Sequence, residues 1–253
     1  MNVSSPLNGR IPFLDLDFDA LDESGAVEAV LSLQRGDTFA YIVTPNVDHL
    51  VRLHRRKDDA ALWSAYRSAT LCLCDSRILL ALARRSQLEL SVVTGSDLTA
   101  RLLRAANLSS AAVIGGDSCL VRDLAAKYPH VRFLHHRAPN GILHDAQAQL
   151  EVAKFVESCA AGVHFFAIGA PQSELICALI RERGKAAGVA LCIGASLEFL
   201  TGIKRRAPRW MQRAGLEWLF RLANEPARLW RRYLVEGPAI VRIWWRWRLS
   251  FSR

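Results

Sequence analysis

The sequence predicts a chain of the α/β class, a mostly parallel sheet with helices on both faces, extended by a basic helical appendage at its C-terminus. Three observations carry that prediction. Six short apolar runs alternate with segments of helical period between residues 39 and 193. Most of the runs end in Gly, Asn or Asp just before a helical segment, the punctuation of strand–helix turns. Charge divides the chain: residues 204–253 hold 13 basic and 3 acidic side chains out of totals of 33 and 24, so residues 1–203 are close to neutral.

The elements follow in order. Residues 11–19 alternate Ile11, Phe13, Leu16 and Phe18 with Asp15, Asp17 and Asp19, which predicts one short exposed strand. The three Asp echo a D-x-D metal signature, but period-2 alternation places them together on a solvated face instead. Strands are expected at Phe39–Thr44, Thr70–Cys74, Ala111–Ile114, Val131–Leu134, Val163–Ile168 and Gly188–Ile193. Helices are expected at Val47–Arg56, Ile78–Arg85, Leu98–Ala106, Leu120–Lys127, Ala146–Cys159 and Glu174–Ala187. This layout is Rossmann-like. The expected units are an α/β domain over residues 1–203 and a Trp-rich appendage over 204–253.

Composition bounds the function. A chain of 253 residues that is 51% hydrophobic and 23% charged is neither disordered, collagenous nor coiled coil. Its six Cys form no C-x-x-C pair and most sit in apolar runs, as core thiols of a reducing compartment do. The seven His fall at no zinc-ligand spacing relative to them. No basic segment followed by an apolar one opens the chain, so no signal peptide is expected. The longest weakly charged stretch, Ala186 to Ile203, contains Glu198 and three Gly and fits a strand and turn better than a membrane span.

In a sheet of this kind ligands bind beyond the carboxyl ends of the strands. Those ends read Thr44-Pro45-Asn46, Asp75-Ser76, Gly115-Gly116-Asp117, Gly169-Ala170-Pro171 and Gly194-Ala195-Ser196. Glycine there admits close backbone approach, and a following helix N-terminus favours an anion. A nucleotide or phosphate-bearing ligand is implied, although neither G-x-G-x-x-G nor a Walker A motif is present.

These motifs, in their order, carry a resemblance. Thr44-Pro45-Asn46-Val47-Asp48-His49, Asp75, Gly95-Ser96-Asp97-Leu98, Ile114-Gly115-Gly116 and Gly169-Ala170-Pro171-Gln172-Ser173-Glu174 precede a more specific C-terminal set. That set runs Arg206-Ala207-Pro208-Arg209-Trp210, Gly215-Leu216-Glu217-Trp218-Leu219-Phe220-Arg221-Leu222, Glu225-Pro226-Ala227-Arg228 and Arg231-Arg232-Tyr233-Leu234. The chain resembles the WecG/TagA/CpsF glycosyltransferases (glycosyltransferase family 26) across about residues 35–236. The resemblance implies an inverting transfer from a nucleotide sugar, usually UDP-linked, to a polyprenyl-diphosphate-linked saccharide in cell-surface polysaccharide synthesis. It implies no metal and no cofactor.

Such a transfer needs a base for the acceptor hydroxyl and positive charge for the departing diphosphate. Asp75, between a strand and a helical run, is either that base or a helix N-cap; the resemblance assigns it the base. Thr44 and Asn46 match a Thr-x-Asn motif and are candidates for orienting sugar or phosphate, with an N-cap as the plainer role of Asn46. Gly115 and Gly116 are either a diphosphate cradle or a plain turn. Asp97 reads as a cap for the helix from Leu98. By resemblance Ser173 stands where the family has Gln, Glu174 is retained, and Glu198 replaces an Asp that would bind ribose. Ser76 stands where the family usually has Gly. Arg205, Arg206, Arg221, Arg228, Arg231 and Arg232 are the candidates for leaving-group stabilisation, on a segment that the resemblance closes over the site.

Residues 238–253 form a second pattern. Ile240, Trp244, Trp247 and Phe251 share one helical face, with Arg242, Arg246 and Arg253 opposite. This predicts an interfacial helix on an anionic membrane at the cytoplasmic face. The alternative is a terminal helix packed on the body or on a second copy in a homo-oligomer. Nucleic acid is a poorer partner, because the basic charge lies outside the motif-rich body. A catalytically silent nucleotide-sugar-binding or scaffold protein is the remaining alternative.

Overall fold

A computed structural model describes residues 9–251. The chain opens with β1 (Ile11–Phe13), β2 (Leu16–Phe18), α1 (Glu23–Leu33), β3 (Phe39–Val43), α2 (Val47–Arg55), α3 (Ala60–Arg67) and β4 (Leu71–Cys72). It continues through α4 (Arg77–Arg85), α5 (Gly95–Leu102), β5 (Ser110–Ile114), α6 (Ser118–Lys127) and β6 (Arg132–His136). Next come α7 (Ala146–Ser158), β7 (Val163–Phe166), α8 (Gln172–Arg183), β8 (Gly188–Cys192) and α9 (Ser196–Thr201). The appendage is α10 (Arg209–Arg213), α11 (Glu217–Asn224), α12 (Pro226–Trp230), a π-helical turn (Arg231–Glu236) and α13 (Ala239–Phe251).

Six strands form one sheet in the order β4-β3-β8-β7-β5-β6, every pair parallel. Side chains alternate across it because the strand period is two. Along β3, Phe39, Tyr41 and Val43 enter one core while Ala40 and Ile42 enter the other. The first core takes in α2, α3 and α8; the second takes in α1, α5, α6 and α9. All six expected strands are present, each within one residue at its start and two at its end.

Three expectations are corrected. Residues 11–19 are a hairpin and not one strand, because Leu14 and Asp15 adopt positive φ (53° and 65°) and reverse the chain. Asp19 does not share a solvated face with Asp15 and Asp17. It is 8% exposed, accepts the Cys72 N–H at 2.8 Å and pairs with Arg10 at 3.2 Å. The third correction concerns α13. Ile240, Trp244 and Trp247 are buried in the first core, with Trp247 edge-on to Phe13 and the Trp244 indole donating to Ser86 Oγ at 2.9 Å. The face predicted for lipid therefore packs on the body. Arg253 and the side chain of Phe251 lie outside the described residues. Helices α1 and α3 were not expected from the sequence.

Candidate active site

Strands β3 and β8 are neighbours, and the helices that follow them leave to opposite faces: α2 joins the first core and α9 the second. A crevice opens beyond the carboxyl ends of strands at such a switch point. Here it is a cleft of about 640 Å³.

Thr44 ends β3. Its buried hydroxyl donates to the Cys192 carbonyl at 3.2 Å and ties the ends of β3 and β8 together. Asn46 caps α2 by accepting the Asp48 and His49 N–H groups at 3.0 and 3.4 Å, while His49 Nδ1 accepts the Asn46 N–H at 3.4 Å. Asn46 is the N-cap that its plainer reading expected, and it also lines the cleft. Burial lowers the His49 pKa to about 4, so its ring is neutral.

Asp75 reaches the same edge because the chain beyond β4 runs beside the end of β3. The Asp75 N–H donates to the Pro45 carbonyl at 3.1 Å. Ser76, not Asp75, caps α4, its Oγ accepting the Leu79 N–H at 3.2 Å. The Asp75 carboxyl is thereby left for the cleft, where Oδ2 accepts the Gly95 N–H at 3.2 Å. Burial pushes its pKa up to about 7, against the opposing pull of the Gly95 N–H and the Arg221 charge. Ser173 and Glu174, on the first turn of α8, complete the floor. Ser173 Oγ donates to the Gly169 carbonyl at 3.0 Å. Glu174 is buried, burial raises its pKa to about 7, and its Oε2 lacks a hydrogen-bond partner among the described residues.

The appendage supplies the roof. Arg205, Arg221, Arg228 and Arg232 line the cleft with Lys204 and, from α2, Arg52. Arg52 and Arg232 both hold Asp48, at 2.9 and 3.2 Å. Arg221 pairs with Glu217 and lies 4.8 Å above the Phe199 ring. Six cationic side chains thus face four carboxyl groups, Asp48, Asp75, Glu174 and Glu225, two of which titrate near neutrality. The excess suits a diphosphate.

Five expected residues do not line the cleft. Gly115 and Gly116 have positive φ (95° and 70°) and form a tightly packed turn outside the cleft, where a Cβ on either would stand 2.6 Å from Ile168 or 2.4 Å from Leu120. Glu198 pairs with Lys204. Arg206 is clasped by both oxygens of Asp97, at 2.6 and 2.8 Å. Asp97 is accordingly not the cap; Thr94 is, accepting the Asp97 N–H at 3.1 Å. Arg231 is exposed, 3.7 Å from Glu236. Conversely, His49 and Arg52 escaped attention as site residues. Their spacing from Asn46, three and six along α2, is the signal that finds them, because it lines one helix face at the ligand edge.

The family described as Glycosyl transferase WecG/TagA/CpsF matches residues 11–253 of the chain. Among curated proteins, the N-acetylglucosaminyldiphosphoundecaprenol N-acetyl-beta-D-mannosaminyltransferase of Bacillus subtilis (strain 168) is 30% identical over 115 residues. That stretch is 46% of this chain and 42% of the relative, so the match spans well under half of the relative's length.

Proposed function

Because the chain belongs to the WecG/TagA/CpsF family of glycosyl transferases, we propose that it moves a sugar from a UDP-linked donor to a polyprenyl-diphosphate-linked saccharide in cell-surface polysaccharide synthesis, with inversion and without a metal. The name of the Bacillus subtilis relative, which specifies a diphosphoundecaprenol-linked sugar, supports that acceptor. One observation carries the chemistry: a carboxyl with a pKa of about 7 stands in a cleft rimmed by arginines.

In this reading Asp75 takes the proton of the acceptor hydroxyl as that oxygen bonds to the anomeric carbon from the face opposite the nucleotide. The bond from the anomeric carbon to the phosphate oxygen breaks, and UDP leaves with the electron pair. Arg221, Arg228, Arg232 and Arg52 receive the negative charge that a divalent ion would otherwise balance. Chelator is expected to leave turnover unchanged.

The lipid-borne acceptor requires the enzyme to work at a membrane. No helix of the described residues is long and apolar enough to cross one. Among the described residues, nine of the ten large exposed hydrophobic ones fall between Ile203 and Leu249, so the appendage is the surface we assign to the cytoplasmic membrane face.

Asp75→Asn tests the mechanism. Turnover of a detergent-solubilised acceptor should fall by about 10²–10⁴-fold, while UDP affinity by calorimetry stays within about threefold. Unchanged turnover removes Asp75 from the chemistry; loss of UDP binding as well assigns it to structure.

A further inference from the structure

A second cavity, about 390 Å³, lies between the C-terminal half of α2 and α13. It shares no residue with the cleft. Four fixed cations line it, Arg55, Lys57, Arg242 and Arg246, against one carboxylate, Asp15. Asp15 is already engaged by His54 at 3.1 Å, and Arg55 by Glu236 at 3.1 Å. Lys57, Arg242 and Arg246 have no ion-pair or hydrogen-bond partner among the described residues. The wall also includes Trp63, which is 7% exposed and whose Nε1 is buried without an acceptor among the described residues. Unpaired cations around a single, already engaged carboxylate are the complement of an anion with several acceptor oxygens.

The surroundings identify the source of that anion. On α13, Val241, Trp245 and Leu249 recur every four residues and are each more than half exposed. At about 100° per residue, Arg242 and Arg246 fall on the next arc of the helix, between this apolar stripe and the cavity. An apolar stripe beside a cationic pocket is the arrangement that admits acyl chains and their phosphate together.

We propose that this cavity binds the phosphate headgroup of an anionic phospholipid and seats the protein on the bilayer with α13 in the interface. The choice of lipid over free phosphate rests on the lipid-linked acceptor proposed above; the anion site itself rests on the cavity. Arg55 and Arg52 stand one turn apart on α2, so the headgroup site and the cleft are joined by a single rigid helix.

The test is co-sedimentation with vesicles of phosphatidylcholine, with and without phosphatidylglycerol. The double variant Arg242→Glu/Arg246→Glu should lose affinity for the anionic vesicles by about 30-fold or more, from about 1 kcal/mol per basic residue removed. The same charge change at the opposite sheet edge, Arg122→Glu/Arg132→Glu, should have little effect. Equal losses in both charge variants would reduce the cavity to general surface attraction and overturn the site. Heat from inorganic phosphate binding in the absence of lipid overturns the lipid assignment. Transfer to a detergent-solubilised acceptor, expected unchanged in the Arg242/Arg246 variant, reports separately on the glycosyltransferase reading.

Discussion

Gly95 has no side chain, and the space this leaves is shared by three polar groups of the cleft. A Cβ there would stand 3.3 Å from Ser196 Oγ, 3.4 Å from Thr44 Oγ1 and 3.8 Å from Asp75 Oδ2. Its N–H, at the start of α5, is the donor that holds the Asp75 carboxyl. Gly95→Ala should cost a few-fold in kcat/KM, because small shifts absorb one methyl, and Gly95→Val more than about tenfold, because branching fills the approach to Asp75. Melting temperature distinguishes this from misfolding. The raised pKa of Asp75 gives a second prediction. As the proposed base, Asp75 is competent only when ionised, so kcat/KM should rise with pH through about 7. Stability runs the other way. Between the ordinary carboxylate range and about 7 the folded protein holds a proton that the unfolded chain has released, so stability falls as pH rises across that window. Asp75→Asn should therefore be more stable than the parent at pH 8, on the order of 2 kcal/mol after solvent screening, with the difference closing toward pH 4. Denaturant melts at the two pH values measure it; a gap that grows on acidification would contradict the assignment.

At the scale of elements, α13 separates what periodicity reveals from what it does not. The spacing of Ile240, Trp244 and Trp247 places them on one face, and they do share one. Spacing cannot say what covers that face, because a bilayer and a protein core are both apolar media; Phe13 and Ser86, far away in sequence, decide it. Trp247→Ala should accordingly destabilise the fold by about 3 kcal/mol through the cavity it leaves. Trp245→Ala, on the exposed stripe, should change stability by less than about 0.5 kcal/mol and weaken vesicle binding. Urea melts and co-sedimentation of the two variants read out the contrast. Other elements were legible for physical reasons as plain. The inner strands β3, β7 and β8 are apolar runs buried on both faces, so their cores announce them. Helix α1 buries only Ala26 and Val30, and α3 has eight residues, too few turns for a period to stand out. At the cleft, Thr44, Asn46 and Asp75 were found because strand ends mark the ligand edge, and Ser173 and Glu174 because they follow a motif of the resemblance. Glu198 and Arg206 follow a motif in sequence, but their side chains are spent on Lys204 and Asp97.

For the whole molecule, the charge break at residue 204 suggested two units, a neutral body and a basic appendage. Composition records charge along the chain, not the packing that crosses it. In the fold, Ile240, Trp244 and Trp247 belong to the same core as Tyr41, Leu50 and Ile176, and Arg206 reaches back to α5. The cleft likewise has Asp75, the proposed base, on the body and most of its cations on the appendage. If the appendage were an independent lid it would unfold first and leave a folded body. With a shared core, opening it exposes two tryptophans and the hairpin of β1 and β2, a large apolar area with a cost to match. Body and appendage should therefore melt in one transition, with tryptophan fluorescence, which samples mainly the appendage, and far-ultraviolet circular dichroism, which samples every helix, giving one midpoint. A fluorescence midpoint at lower denaturant than the dichroism midpoint would mean that the appendage detaches alone. The arginines would then be carried to the diphosphate by a moving segment, and donor binding would bear the cost of ordering it.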